Sequence, residues 1–163
     1  MRLIGIMLAA ALLLCGCGST QTFETVSDVW QEETAQAQHV VLELPEEAVA
    51  EVMESSEGEI YLCDGYEIAV QTMEAGDLNR TVLKMTGFSM EELTVMQTHT
   101  GDLGCYELVW SAAGENGDRI CRGAILDDGN YHYTVSVMAD AQDADSIRPV
   151  WETVFSSLRL RQY

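Results

Sequence analysis

Tyr131-His132-Tyr133-Thr134-Val135-Ser136-Val137-Met138-Ala139 decides the fold. In an extended chain Tyr131, Tyr133, Val135 and Val137 share one face, while His132, Thr134 and Ser136 share the other. A period of two marks a β-strand. One apolar and one polar side predict the half-buried strand of an antiparallel sheet. Upstream, Asp118–Leu126 reads as the preceding strand, with Asp128-Gly129 as the turn between them. Glu115-Asn116-Gly117 suits a three-residue hairpin loop, with glycine at its left-handed position. It joins this strand to Cys105–Ala113, where Tyr106, Leu108 and Trp110 share a face.

Further towards the N-terminus, Thr94–Thr100 alternates into another strand that turns at Gly101-Asp102. Ser89 and Glu92 have the spacing of a capping box. Asp77 is placed to cap a helix over 78–86 whose face is Leu78, Val82 and Met85, and Gly87 to stop it. Glu59–Cys63 and Tyr66–Thr72 flank Asp64-Gly65, a hairpin signal, since Asp-Gly tolerates the positive φ angles of a type I′ turn. His39–Leu44 reads as a strand, and Pro45–Glu54, with proline and acids first, as a short helix. Downstream, Asp145 is the expected cap of a final helix with Pro149 in its first turn. Ile147, Val150, Trp151, Val154, Phe155 and Leu158 recur at helical spacing and must lie on the sheet. The elements make one α+β domain over 39–163: a mostly antiparallel, meandering sheet with a C-terminal amphipathic helix packed on it.

The ending Val150-Trp151-Glu152-Thr153-Val154-Phe155-Ser156-Ser157-Leu158-Arg159-Leu160 resembles the close of PsbP/DcrB-like domains, in which an aromatic-rich helix runs into a last short strand. The resemblance extends over 39–161 in order of elements and over the last dozen residues in sequence. It implies a PsbP/DcrB-like sandwich and a small exported accessory or binding domain. It brings no shared catalytic residues.

The N-terminus is read separately. Arg2 precedes about a dozen apolar residues, a signal-peptide length and short of the ~20 needed to span a bilayer. The run ends in Leu14-Cys15-Gly16-Cys17, which resembles the lipobox of bacterial lipoproteins. Residues 1–16 are then a signal peptide. Cys17 is the lipid-attachment residue, preferred to Cys15 because Gly16 is the smaller residue before the cut. Two acyl chains of the palmitate type on Cys17 would anchor the chain stably, as one chain does not. The competing reading is an ordinary secretory signal that releases a soluble protein. Residues 17–38 follow as the lipidated N-terminus and a polar tether, within which Phe23, Val26, Val29 and Trp30 fall at helical spacing.

Composition limits the rest. With 27 acidic residues against 8 basic, the net charge is −19. Phosphate neutralisation needs a cationic surface, so nucleic acid is not an expected partner. A basic protein in the envelope is the partner the field suits. Of five cysteines, Cys63, Cys105 and Cys121 remain for the domain. In the predicted hairpin Cys121 comes near Ser111, six residues and roughly 20 Å along the strand from Cys105, too far for a disulfide. All three are expected as small buried hydrophobes.

No phosphate-binding, metalloprotease or nucleophile-elbow motif occurs. His39, His99 and His132 lie on separate predicted strands without metal-ligand spacing, so no metal or cofactor is expected. Asp127-Asp128-Gly129-Asn130 reads as a turn, and Asp140, Asp143 and Asp145 as a helix start; neither has the spacing of a calcium loop. The expected role is therefore a membrane-anchored surface lipoprotein serving as a non-catalytic binding or accessory module. Two alternatives stand beside it: a cation- or small-solute-binding lipoprotein, and a surface enzyme using His39, His99 or His132.

Overall fold

The computed structural model describes residues 35–46, 51–55, 58–115 and 117–162. The signal segment, Cys17 and the Phe23–Trp30 stripe lie outside the described residues. The elements are β1 (His39–Val41), β2 (Glu51–Ser55), β3 (Gly58–Cys63), β4 (Tyr66–Glu74), α1 (Leu78–Thr86), β5 (Val95–Thr100), β6 (Leu103–Gly114), β7 (Gly117–Asp127), β8 (Tyr131–Asp140), α2 (Arg148–Ser157) and β9 (Arg159–Arg161).

Two meanders, β2-β3-β4 and β5-β6-β7-β8, join along β4 and β8 into one sheet of order β2-β3-β4-β8-β7-β6-β5. Every described pairing in it is antiparallel. A separate antiparallel pair links β1 to β9, with Val40 opposite Leu160. The Asp64-Gly65 turn forms as expected, with Cys63 opposite Tyr66 and Gly65 at φ 81°. The β6–β7 hairpin is tighter than predicted. Gly114 faces Gly117, so the loop has two residues and Cys121 comes opposite Trp110 rather than Ser111.

The half-buried expectation for Tyr131–Ala139 is corrected. β8 is the central strand, and both its faces are covered. On one face Val150 and Val154 of α2 pack on Ile68, Val135, Val137 and Ala139, with Val40, Leu42 and Leu44 at the margin. On the other, Val82, Leu78 and Met85 of α1 pack on Leu108, Trp110, Cys121 and Ile125. His132, Thr134 and Ser136, expected at the surface, are therefore buried. Gly123 makes close packing of α1 possible: a Cβ there would overlap the Met85 methyl.

Two further expectations change. Glu51–Ser55 is not the end of a helix but a strand paired with Gly58–Cys63. Backbone pairing to a formed hairpin outweighs the modest helix preference of Glu51, Met53 and Glu54. Asp145 does not cap α2; the N-cap is Ile147, without a side-chain bond. A 3-10 turn over Ala141–Asp143 leads in, and the Ile147 amide donates to the Asp143 carbonyl. The chain is already helical there, so it lacks the extended residue from which a cap folds back. Asp145 instead pairs with Arg148 at 3.5 Å. Asp77 does cap α1, accepting from the Asn79 amide at 3.0 Å.

Candidate functional site

Placement on β8 gives His132 its surroundings. It is 1% exposed, with Nδ1 2.7 Å from the hydroxyl of Thr81 on α1. Nε2 lies 3.7 Å from Asp127 Oδ2, beyond hydrogen-bond reach. Thr81 is buried as well. A hydroxyl, an imidazole and a carboxylate thus fall in line, but beneath α1, where the hydroxyl has no open space for a substrate carbonyl. Acyl transfer needs a reacting atom within about 3 Å of the nucleophile, so the row fits a role in joining α1 to the sheet.

The other histidines are elsewhere. His132 pairs with Asp127, Asp127 with Gly104, and Gly104 with His99. His99 is thus three strand spacings away, about 14 Å. It contacts Gln97 at 2.8 Å on the exposed edge. His39 belongs to the β1–β9 pair, opposite Arg161. The three do not converge. Among the described residues no three His, Cys, Asp or Glu side chains are grouped to hold one metal ion.

The Asp127-Asp128-Gly129-Asn130 turn does more than reverse the chain. Asp128 Oδ1 accepts from the amides of Asn130 (3.0 Å) and Tyr131 (2.8 Å). Its Oδ2 accepts from the Tyr133 hydroxyl (2.8 Å) and Gln38 Nε2 (3.0 Å). The Tyr133 oxygen in turn accepts from the Gln38 amide at 2.9 Å, and the Tyr131 hydroxyl donates to the Ala35 carbonyl at 2.8 Å. Residues 35–38, read as the end of a tether, are stitched to this turn. Burial raises the Asp128 carboxyl, but hydrogen bonds from Tyr133, Tyr131, Asn130 and Gln38 outweigh it and hold the group below the ordinary range. Burial, with the Asp128 carboxylate adding to it, pushes Tyr133 up to about 12. The sequence contained this turn but no sign of the Gln38 contact, which spans 90 residues.

Among the described residues two clefts open on the α2 side. A cleft of about 680 Å³ is floored by Leu103, Leu126, Leu158 and Leu160, with Gln38, Asp102, Asp128 and Arg159 among its polar lining. A second of about 460 Å³ lies between Trp151 and Phe155 of α2 and the Glu107–Arg122 ion pair on the sheet. That pair is 2.8 Å long, and the Arg122 guanidinium stacks 4.8 Å over the Phe155 ring. Each is of a size that takes small ligands or side chains, roughly 300–1,000 Å³. Both linings mix apolar side chains with a larger number of polar ones, a surface that suits binding of an amphipathic partner or ligand.

The thiols are unactivated, and of the three expected as buried hydrophobes only Cys121 is fully buried, Cys63 and Cys105 being half-buried. Cys63, Cys105 and Cys121 form no disulfide. Burial pushes Cys121 up to about 11 and raises Cys63 and Cys105 too. Nucleophilic cysteines have the opposite displacement.

No family model matches the chain, and no curated protein matches it in sequence. Solved structures do. LpqN of Mycobacterium tuberculosis, involved in cell envelope biogenesis, superposes with a TM-score of 0.52 at 12% identity, over 79% of this chain and 87% of that one. Cyanobacterial PsbP from Synechocystis sp. PCC 6803 superposes with a TM-score of 0.52 at 11% identity, over 79% and 96%. The fold is PsbP-like. At such identity the likeness concerns the fold alone. No helix among the described residues is long and apolar enough to cross a membrane.

Proposed function

We propose that this chain is an exported lipoprotein, anchored through acylated Cys17, whose PsbP-like domain serves the envelope as a non-catalytic binding or accessory module. The observation that carries the reading is the division of the two sheet faces. The hydroxyl–imidazole row of Thr81 and His132 is closed off under α1, whereas the α2 face offers open clefts with mixed apolar and polar linings. A histidine and hydroxyl buried away from the open clefts suit binding rather than turnover. Leu14-Cys15-Gly16-Cys17 at the end of an apolar run supports the anchor. The likeness to LpqN, a protein involved in cell envelope biogenesis, supports the setting.

The test is metabolic labelling with an alkynyl palmitate, followed by membrane fractionation, in bacteria making the wild type, Cys17→Ser or Cys15→Ser. Wild type and Cys15→Ser are expected to carry label and sediment with membranes. Cys17→Ser is expected to lose both. Label retained by Cys17→Ser, or an unlabelled wild type in the medium or cytosol, would overturn the anchor.

A further inference from the structure

We propose that β5 is a docking edge for an extended, basic segment of another protein, which adds to the sheet as an eighth strand; this deepens the binding-module reading and rests on it. Among the described residues β5 ends the sheet, pairing with β6 on one side. Its other side presents backbone donors and acceptors in strand geometry, a template for another chain. Soluble proteins usually guard such edges with lysine, proline or a bulge. Val95-Met96-Gln97-Thr98-His99-Thr100 contains no proline, aspartate, glutamate, lysine or arginine, and five of its six residues are exposed. Its pairing with β6 advances one residue for one from Val95–Leu108 to Thr100–Leu103, so no bulge interrupts it.

The side chains beside the edge supply a second contact. Met96 faces Glu107 across the pair, so Met96, Glu107 and Val109 lie on the α2 side of the sheet. α2 packs over β4 and β8 and leaves this part open. Met96 is 58% and Val109 50% exposed, an apolar spot against which alternate side chains of an added strand would lie. Main-chain bonds with alternate side-chain contacts define strand addition as a recognition mode.

Charge selects the occupant. The chain carries −19, so two copies pairing edge to edge would repel. Exposed Glu91 and Glu92 precede β5 and exposed Asp102 follows it. An incoming strand with Lys or Arg among β-branched residues answers both the edge and its flanks.

The probe is a synthetic Lys-Val-Lys-Val-Lys-Val peptide, with Glu-Val-Glu-Val-Glu-Val as control, titrated against the full-length protein in nonionic detergent at low salt. Fluorescence anisotropy gives affinity, amide hydrogen exchange gives location, and light scattering gives oligomeric state. The Lys peptide is expected to bind at least about tenfold more tightly than the Glu peptide, an advantage that salt erodes. It should slow exchange at the amides of Val95–Thr100. Met96→Lys is expected to weaken binding about fivefold or more by adding a guarding charge, with an unchanged melting temperature. Equal binding of both peptides, protection confined to other strands, or a β5-dependent dimer of the protein alone would each overturn the proposal. Acylation at Cys17 without peptide binding would overturn this inference alone; peptide binding by an unacylated chain would overturn the anchor alone.

Discussion

Replacing Asp128 with alanine removes the acceptor that ties residues 35–38 to the body. Four hydrogen bonds end on its carboxylate. That from Asn130 is exposed, where water can take over, whereas that from the Tyr131 amide is half-buried. Those from the Tyr133 hydroxyl and Gln38 Nε2 are half-buried. Hydrogen bonds to a charged acceptor contribute about 1.5–3 kcal/mol each, and water recovers part, so the expected loss is about 2–4 kcal/mol. For a chain of this size that lowers the melting temperature by about 5–15 °C. Tyr133→Phe removes a partner of the same network. The double variant should therefore lose less than the sum of the two singles, by about 1 kcal/mol. The sign of the pH effect follows from the lowered carboxyl. A depressed folded pKa adds stability that is present above the unfolded value near about pH 4 and is lost as pH falls below it. Asp128→Ala should flatten that acid limb. Circular dichroism melts from pH 7 downwards measure both effects, and hydrogen exchange at the Gln38 amide reports whether the segment has come away. A variant that melts within about 2 °C of wild type, or a Gln38 amide whose protection is unchanged, would refute this account of the turn.

Thr81→Val keeps the shape of the side chain but leaves His132 Nδ1 unpartnered beneath α1, and should cost about 1–3 kcal/mol in thermal melts; Thr81→Ser should restore most of it, and an unchanged Thr81→Val would disprove the joining role. With its thiol raised to about 11 and no exposed surface, Cys121 should resist maleimide at neutral pH in the native protein and react once guanidinium unfolds it. Labelling of native Cys121 as fast as free cysteine would contradict the packed core.

Most strands, α1 and the approximate extent of α2 were legible in the sequence because local signals specify them. The period-two run Tyr131–Ala139, the Asp64-Gly65 turn and the Asp77 cap each act over a few residues. Glu51–Ser55 was misread because its strand state comes from pairing with β3, a contact that its composition does not announce. Asp145 was misread as a cap because its residue type suits that position. The preceding 3-10 turn, which leaves no extended residue from which to cap the helix, appears only when the backbone is seen.

By itself the sequence determined the α+β class, the acidic surface and the expectation of acylation at Cys17, since composition, periodicity and short motifs carry those locally. Tertiary structure alone decided that both faces of β8 are covered, which turned a polar strand face into the buried Thr81–His132 contact. It alone brought Gln38 to Asp128 and left β5 as an open edge. Such features depend on which elements become neighbours in space, and that is settled by the joint burial of two apolar helix faces on opposite sides of one sheet.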